Sequence, residues 1–551
     1  MQQPNWYKNS VFYEIYLRSY MDGNNDGVGD FIGLTKRLGY LKRLGVDCIW
    51  LLPIYPSPRL DDGYDIADYY SIDPDYGSLN DFKKLVKEVH KRNMRVVIDL
   101  VVNHTSDQHP WFQSARSDPN SPYYNYYVWS DSDQRYQDAR IIFLDSEKSN
   151  WTWDEKTQKY YWHRFYSSQP DLNYENPAVR EEMLNIIRFW LDLGIDGFRV
   201  DAVPYLFQKD GTDCENLPET HEFLKKIREF VDNNFPGRIL ICEANQRPKD
   251  VVKYLGREDE FHMAFHFPMM PRIFQALRSC DKTHVEETIK QTPTIPASCQ
   301  WGTFLRNHDE LTLEMVTNEE REWLWREYAP DPKMRLNLGI RRRLAPLLDN
   351  NQGKIELAYS LLFSLPGSPF IYYGDEIGMG DNISLPDRDG VRTPMQWDTT
   401  LNAGFTKTNQ NNNPVISDPE FAPAMVNVQK NINERHSLWH KVKRLIKIRK
   451  KEPALQTNEI TLLNIEDKRV LAFIRTNACE RLIIIHNLSN SRIDFNFDYP
   501  AAEAKTYIDL ISQIEIGMTI ASVKGTLEPY QSLWLKPKKR NILGYKKLSI
   551  I

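Results

Sequence analysis

Cysteine is scarce in this chain, and no spacing pairs one with another. Six thiols are spread over 551 residues, at Cys48, Cys214, Cys242, Cys280, Cys299 and Cys479. That pattern excludes a disulfide-stapled scaffold. Cys48 and Cys242, inside apolar stretches, read as buried free thiols of a reducing compartment. Long apolar runs are missing too: nowhere do 18 apolar residues follow one another, so no helix is expected to span a membrane. The opening Met1-Gln2-Gln3-Pro4-Asn5-Trp6 has neither the basic cluster nor the apolar stretch of a secretory leader, and the cytoplasm is the expected address. Charge of one sign is not in excess either. A net charge of −5 removes the electrostatic case for nucleic acid as a partner.

What is present is a globular composition, 41% hydrophobic, in a chain too long for one core, so more than one domain is expected. The load of 29 Tyr, 24 Phe and 14 Trp is mostly core filling, but flat rings also suit sugars. Short β-branched runs at 11–16, 48–52, 95–101, 197–201, 239–243, 264–267, 303–307 and 370–373 alternate with amphipathic stretches such as 79–92 and 176–193. Eight strands with interleaved helices predict an α/β fold, a (β/α)8 TIM barrel over residues 1–103 and 174–456. Residues 104–173, rich in Trp, Tyr, Ser and Asp, read as a subdomain inserted after the third strand. Residues 311–351 form a second insertion, after the seventh strand. Its runs Glu319-Glu320-Arg321-Glu322 and Arg341-Arg342-Arg343 read as solvated helix faces, with a contact between subunits of a homo-oligomer as the alternative. From residue 457 to 551 the pattern turns to period two, predicting a C-terminal antiparallel β-sandwich domain. The basic tail 536–547 reads as solvated.

Three carboxylates stand where expected parallel strands end: Asp201 in Gly197-Phe198-Arg199-Val200-Asp201, Glu243 after Ile239-Leu240-Ile241-Cys242, and Asp309 in Arg306-Asn307-His308-Asp309. A carboxylate at the end of a buried strand costs desolvation energy unless it is paired or used. In such barrels the strand C-termini carry the chemistry. Asp201 and Glu243 end neighbouring strands roughly 4.8 Å apart, a separation of the kind used in retaining glycoside cleavage, with one nucleophile and one acid/base. Arg199 leaves the same strand face as Asp201 and is expected to keep it ionised. The apolar approach to Glu243 favours its protonated form.

These residues carry a resemblance. Asp99-Leu100-Val101-Val102-Asn103-His104, Gly197 to Asp201, Glu243 and Asn307-His308-Asp309 resemble the four conserved regions of the α-amylase superfamily (glycoside hydrolase family 13). Gln169-Pro170-Asp171-Leu172-Asn173 resembles the fifth region of its oligo-1,6-glucosidase-like branch. The resemblance implies Asp201 as nucleophile, Glu243 as acid/base and Asp309 as the carboxylate gripping sugar hydroxyls, with His104 and His308 bonding the glucose. It further implies that Asp61 and Tyr64, in Asp61-Asp62-Gly63-Tyr64-Asp65, hold and stack on the glucose, and that Phe165 and Gln169 line its pocket. Arg392, in Arg392-Thr393-Pro394-Met395-Gln396-Trp397, would close it. Segments 161–165, 214–221, 308–316 and 378–382 are similar to the trehalose synthase branch. That likeness implies a maltose α-D-glucosyltransferase interconverting the disaccharides maltose and trehalose, with the two insertions as a lid against water. A plain exo-acting α-glucosidase would use the same carboxylates, and a non-catalytic sugar-binding barrel is the rival of another class. A maltokinase is a candidate partner of such an enzyme.

Asp22, Asn24, Asp26 and Asp30 offer oxygens at alternate positions around glycines, a spacing that suits Ca2+. Position twelve of the loop is Gly33, so it is not an EF-hand. The resemblance implies a second structural Ca2+ held by the side chains of Asn103 and Asp171 and the carbonyls of Tyr205 and Leu206, weakened by Gln208 where relatives place an acidic residue. No organic cofactor is expected.

Overall fold

The computed structural model of the protein describes residues 5–409, 414–498, 506–517 and 522–538. The basic tail beyond Lys538 lies outside them. Eight parallel strands close into a barrel: β1 (Phe12–Ile15), β2 (Cys48–Leu51), β3 (Arg95–Val101), β4 (Gly197–Asp201), β5 (Ile239–Cys242), β6 (Met263–Phe265), β7 (Gln300–Phe304) and β8 (Ser368–Tyr372). Each pairs with the next in sequence and β8 returns to β1, so the (β/α)8 expectation holds. Nearly every strand residue is buried on both faces, as a parallel sheet covered by helices requires.

Local signals set the helices that wrap the strands. Helix Leu79–Lys91 starts at a reciprocal capping box of Ser78 and Asp81, and Pro177–Asp192 starts with Asn176 as cap and proline in its first turn. β4 and β5 approach closely because Gly197 has no side chain. A Cβ there would lie 2.1 Å from the Ile239 carbonyl oxygen, on a backbone at φ +154°. This contact sets the β4–β5 register, Gly197 to Ile239, that carries Asp201 and Glu243.

Three strand expectations slip. β6 and β8 begin and end earlier than expected, and β7 ends at Phe304, so Asp309 sits five residues beyond its strand, in a loop. Glu243 likewise lies one residue past β5.

The chain between β3 and β4 carries helix Pro110–Ser117 and a three-stranded antiparallel sheet of Trp129–Ser130, Lys159–Trp162 and Trp151–Asp154. After β7 come helix Asn318–Tyr328 and a small sheet of Leu311–Thr312, Gly339–Ile340 and Arg335–Leu336. Beyond the barrel, a six-stranded antiparallel sheet and a two-stranded one, Ile493–Asp498 with Ser522–Leu527, enclose a separate core of Val470, Ile483, Phe495, Leu527 and their neighbours. A buried arginine docks this domain. Arg475 donates to the Ser364 carbonyl, at the C-terminal end of helix Gln352–Ser364 that leads into β8, where Arg449 of the barrel's own helix Leu438–Lys451 donates to the Phe363 and Gly367 carbonyls. A helix C-terminus favours cations there.

The arginine run 341–343 is not a solvated helix face. Arg343 is fully buried and pairs with Asp375 at 3.0 Å, and Arg342 Nε is shared between both Asp381 carboxylate oxygens at 2.9 Å. Glu319 and Glu322, by contrast, face solvent on their helix. No helix among the described residues is long and apolar enough to cross a membrane.

Candidate active site

A pocket with a free volume of about 850 Å3, open mouth included, lies at the C-terminal ends of the strands. Asp61, Tyr64, His104, Phe165, Asp201, Glu243 and Asp309 line it. Gln169, Arg199, His308 and Arg392 stand behind its wall, all almost fully buried.

Arg199 organises the floor. Its Nη1 meets Asp99 Oδ1 at 2.6 Å and Asp201 Oδ1 at 2.5 Å, while Nη2 pairs with Glu243. Three buried carboxyls thus share one guanidinium. Burial wins over its pull and pushes Asp201 up to about 6. Burial pushes Glu243 further, to about 8, with the charges of Asp201 and Asp309 adding to the rise. Glu243 also hydrogen-bonds Asp201 and accepts from the Ala202 amide at 3.1 Å. Near neutral pH the pair therefore splits into an ionised Asp201 and a protonated Glu243, the division of labour that acid and nucleophile need.

Asp309 is held differently. Burial alone would raise it, but His308 at 3.0 Å, Arg388 at 3.0 Å and Arg392 at 3.2 Å hold it well below the usual carboxylate range. His308 is fully buried between Glu14 (2.6 Å to Nδ1) and the Tyr64 hydroxyl (2.8 Å to Nε2). Its ring stacks on Tyr64 at 5.4 Å between centroids. Burial opposes its charge, yet Asp309 and Glu14 raise it to about 9. His308 thus braces Tyr64 and Asp309 from behind. His104 does line the pocket, beside Phe165 at 5.3 Å, and burial holds it neutral, down at about 3.

The arginine facing the pocket is Arg388, which sequence reasoning missed. It joins Asp61 Oδ1 at 2.8 Å to Asp309 Oδ1, while Gln169 donates to the other Asp61 oxygen at 2.9 Å. Arg392 lies one layer back, donating to the His308 carbonyl and paired with Asp62. Asn245, Glu310 and Glu314, also in the lining, were missed as well. Burial pushes Glu310 up to about 7. The two insertions meet above the pocket: Arg140 pairs with Glu314 at 2.9 Å, and Asp145 accepts from the Asn337 amide at 2.7 Å.

The expected metal ligands fall in two places. In the loop of Asp22, Asn24, Asp26 and Asp30, every side chain already accepts from the loop's own amides; Asp30 also caps helix Phe31–Leu44. Asn103 and Asp171 touch at 2.9 Å, and Asn103 Oδ1 and Asp171 Oδ2 are buried acceptors with no hydrogen-bond donor among the described residues. Burial pushes Asp171 up to about 8. The Tyr205 carbonyl accepts from Gln208 Nε2 at 3.2 Å. Among the described residues no group of three or more His, Cys, Asp or Glu side chains is arranged to hold a metal ion.

The family described as alpha amylase, catalytic domain, matches residues 14–330 and 341–458, and that described as maltogenic amylase, C-terminal domain, matches residues 460–534. The trehalose synthase/amylase of Mycobacterium tuberculosis (strain ATCC 25618 / H37Rv) is 53% identical over 93% of this chain and 87% of its own length. The trehalose synthase of Pimelobacter sp. (strain R48) is 52% identical over 93% and 92%. Among solved structures, a trehalulose synthase superposes with a TM-score of 0.79 at 28% identity, covering 96% of this chain and all of its own. The isomaltulose synthase of Klebsiella sp. LX3 gives 0.78 at 29%, covering 97% and 99%. The chain belongs to the α-amylase family, in its trehalose synthase branch.

Proposed function

We propose that the protein interconverts maltose and trehalose by intramolecular transfer of a glucosyl unit, with hydrolysis to glucose as a minor branch. The observation that carries the chemistry is the pair Asp201 and Glu243 on one guanidinium, with burial raising Glu243 further than Asp201. The choice of isomerase over hydrolase is supported by relatives 52–53% identical along almost the whole chain.

In this reading Glu243 protonates the glycosidic oxygen as the Asp201 carboxylate attacks the anomeric carbon. The C–O bond breaks and a β-glucosyl ester forms. The released glucose stays in the pocket and turns over. Its anomeric hydroxyl then attacks the anomeric carbon of the bound glucosyl unit, Glu243 takes the proton, and the Asp201 carboxylate leaves. Two inversions give net retention at the transferred glucose. Asp309, kept ionised by its three cations, grips hydroxyls of the transferred glucose, and Tyr64 offers it a face. Excluding water decides the outcome, because water on the ester yields two glucoses. The contacts of Arg140 with Glu314 and of Asp145 with Asn337 support a closed roof.

The reading extends to finer points. Six free thiols support a cytoplasmic address. Self-association and pairing with a maltokinase are carried over from the same branch. Calcium is assigned a structural role. The donorless oxygens of Asn103 and Asp171 suit a hard cation, which would hold Asp171 ionised and pin the mouth of β3 to the first insertion. The Gln208 amide on the Tyr205 carbonyl competes for one further ligand. The Asp22 to Asp30 loop suits a second ion by donor type, on oxygens it shares with its own amides.

Incubating the pure protein with maltose tests the reaction. Trehalose should dominate over free glucose, and trehalose as substrate should return maltose. Glucose as the main product would overturn the isomerase reading.

A further inference from the structure

Arg341 follows the hairpin formed by Arg335–Leu336 and Gly339–Ile340 in the insertion after β7. Among the described residues its side chain meets no carboxylate at hydrogen-bond distance. It spreads over backbone carbonyls instead: Nη1 donates to Leu385 and Asp387, each at 2.6 Å, Nη2 to Ile383 at 3.2 Å, and Nε to Lys333 at 2.7 Å. Three of those four carbonyls belong to the loop that ends at Arg388. Asp387, whose carbonyl is one of them, sits at φ +40°, a left-handed conformation that a non-glycine residue holds only when its surroundings impose it. The next residue, Arg388, spans Asp61 and Asp309 on the glucose side of the pocket.

From this chain of contacts we infer that Arg341 is a positioning residue for the glucose pocket, which locks the 383–387 backbone and thereby aims Arg388. The inference rests on the proposed glucosyl transfer. Its planar fork reaches several carbonyls at once, which a single ammonium cannot do. The hairpin that carries Arg341 also bears Asn337, which meets Asp145 of the first insertion. One short element thus touches the roof at its tip and the pocket wall at its base. If Arg388 is misaimed, the pocket loosens around the glucosyl ester and admits water as acceptor.

The test is the ratio of glucose to trehalose formed from maltose, which does not depend on how much of a preparation is active. Arg341→Ala should raise that ratio by roughly three- to tenfold, the scale of a lost coupling contact. It should also raise KM for maltose, and Arg341→Lys should fall between Arg341→Ala and the unaltered protein. Arg326→Ala, an exposed arginine of the same insertion, should leave the ratio unchanged. An unchanged ratio in both Arg341 variants overturns the inference, as does an equal shift in Arg326→Ala. Should Arg341→Ala fail to fold, the ratio for Arg341→Lys decides alone. Failure of the proposed reaction would look different: glucose would already dominate in the unaltered protein.

Discussion

Glu243 hydrogen-bonds Asp201 across the seam between β5 and β4, and Arg199 serves both. Replacing Glu243 with Gln keeps the shape and removes the transferable proton. Trehalose formation from maltose should fall by roughly 10²- to 10⁴-fold, the usual contribution of a positioned general acid, with the thermal midpoint little changed. Near-wild-type initial rates for this variant would refute the assignment.

The same pair sets a pH window. Asp201 must be ionised, so kcat/KM should climb as pH rises through about 6; Glu243 must carry its proton, so it should fall above about 8. These limbs belong to the coupled pair rather than to either residue alone. A profile of kcat/KM against pH checks them, and residual activity in Glu243→Gln should lose the alkaline limb. A profile flat from pH 5 to 9 would contradict the split described for the two carboxyls.

Arg140 links the first insertion to Glu314 of the second and also reaches Glu215 at 2.8 Å. Arg140→Ala and Glu314→Gln should each open the roof and increase the glucose released per trehalose formed, without abolishing cleavage of the substrate. The combined variant should add little to either alone, since the two residues share one contact. Product analysis after a fixed extent of maltose conversion measures this, and additive effects would place the two residues in separate roles.

Much of this site was legible in the sequence, for physical reasons that also mark where legibility stopped. β4 could be placed to the residue because a buried parallel strand is a short apolar run and its terminal Asp201 interrupts it. Asp309 was placed too near its strand because Leu305, already in the loop, is as buried as the strand before it. Apolar patterning reports burial, not ladder hydrogen bonds. Arg388 lies in Pro386-Asp387-Arg388-Asp389, a composition that reads as a solvated turn. Its role depends on the path of a loop that returns over the pocket. The arginine run 341–343 misled for a related reason. Most of its partners lie 30 to 46 positions away, several of them carbonyls, and leave no trace in charge pattern.

Calcium can be tested by melting. Added to chelator-treated protein, Ca2+ should raise the thermal midpoint by several degrees, as any ligand of the folded state alone does. Asp171→Asn should remove the part due to the Asn103–Asp171 site, and Gln208→Glu should enlarge it by freeing the Tyr205 carbonyl. No shift at saturating Ca2+ would refute both metal sites.

From the sheet domain, Arg475 donates to the Ser364 carbonyl at the end of helix Gln352–Ser364, and Trp534 donates to the Ser360 hydroxyl one turn earlier. That helix feeds directly into β8, whose following loop carries Arg388. Deleting the sheet domain would strip these donors from the buried Ser364 carbonyl and Ser360 hydroxyl and expose the apolar side chains that pack against Leu471, Phe473, Ile484 and Trp534. Barrel and sheet domain should therefore melt in one cooperative transition, and shortened versions of this chain that end near residue 458 should accumulate as insoluble protein rather than as a smaller enzyme.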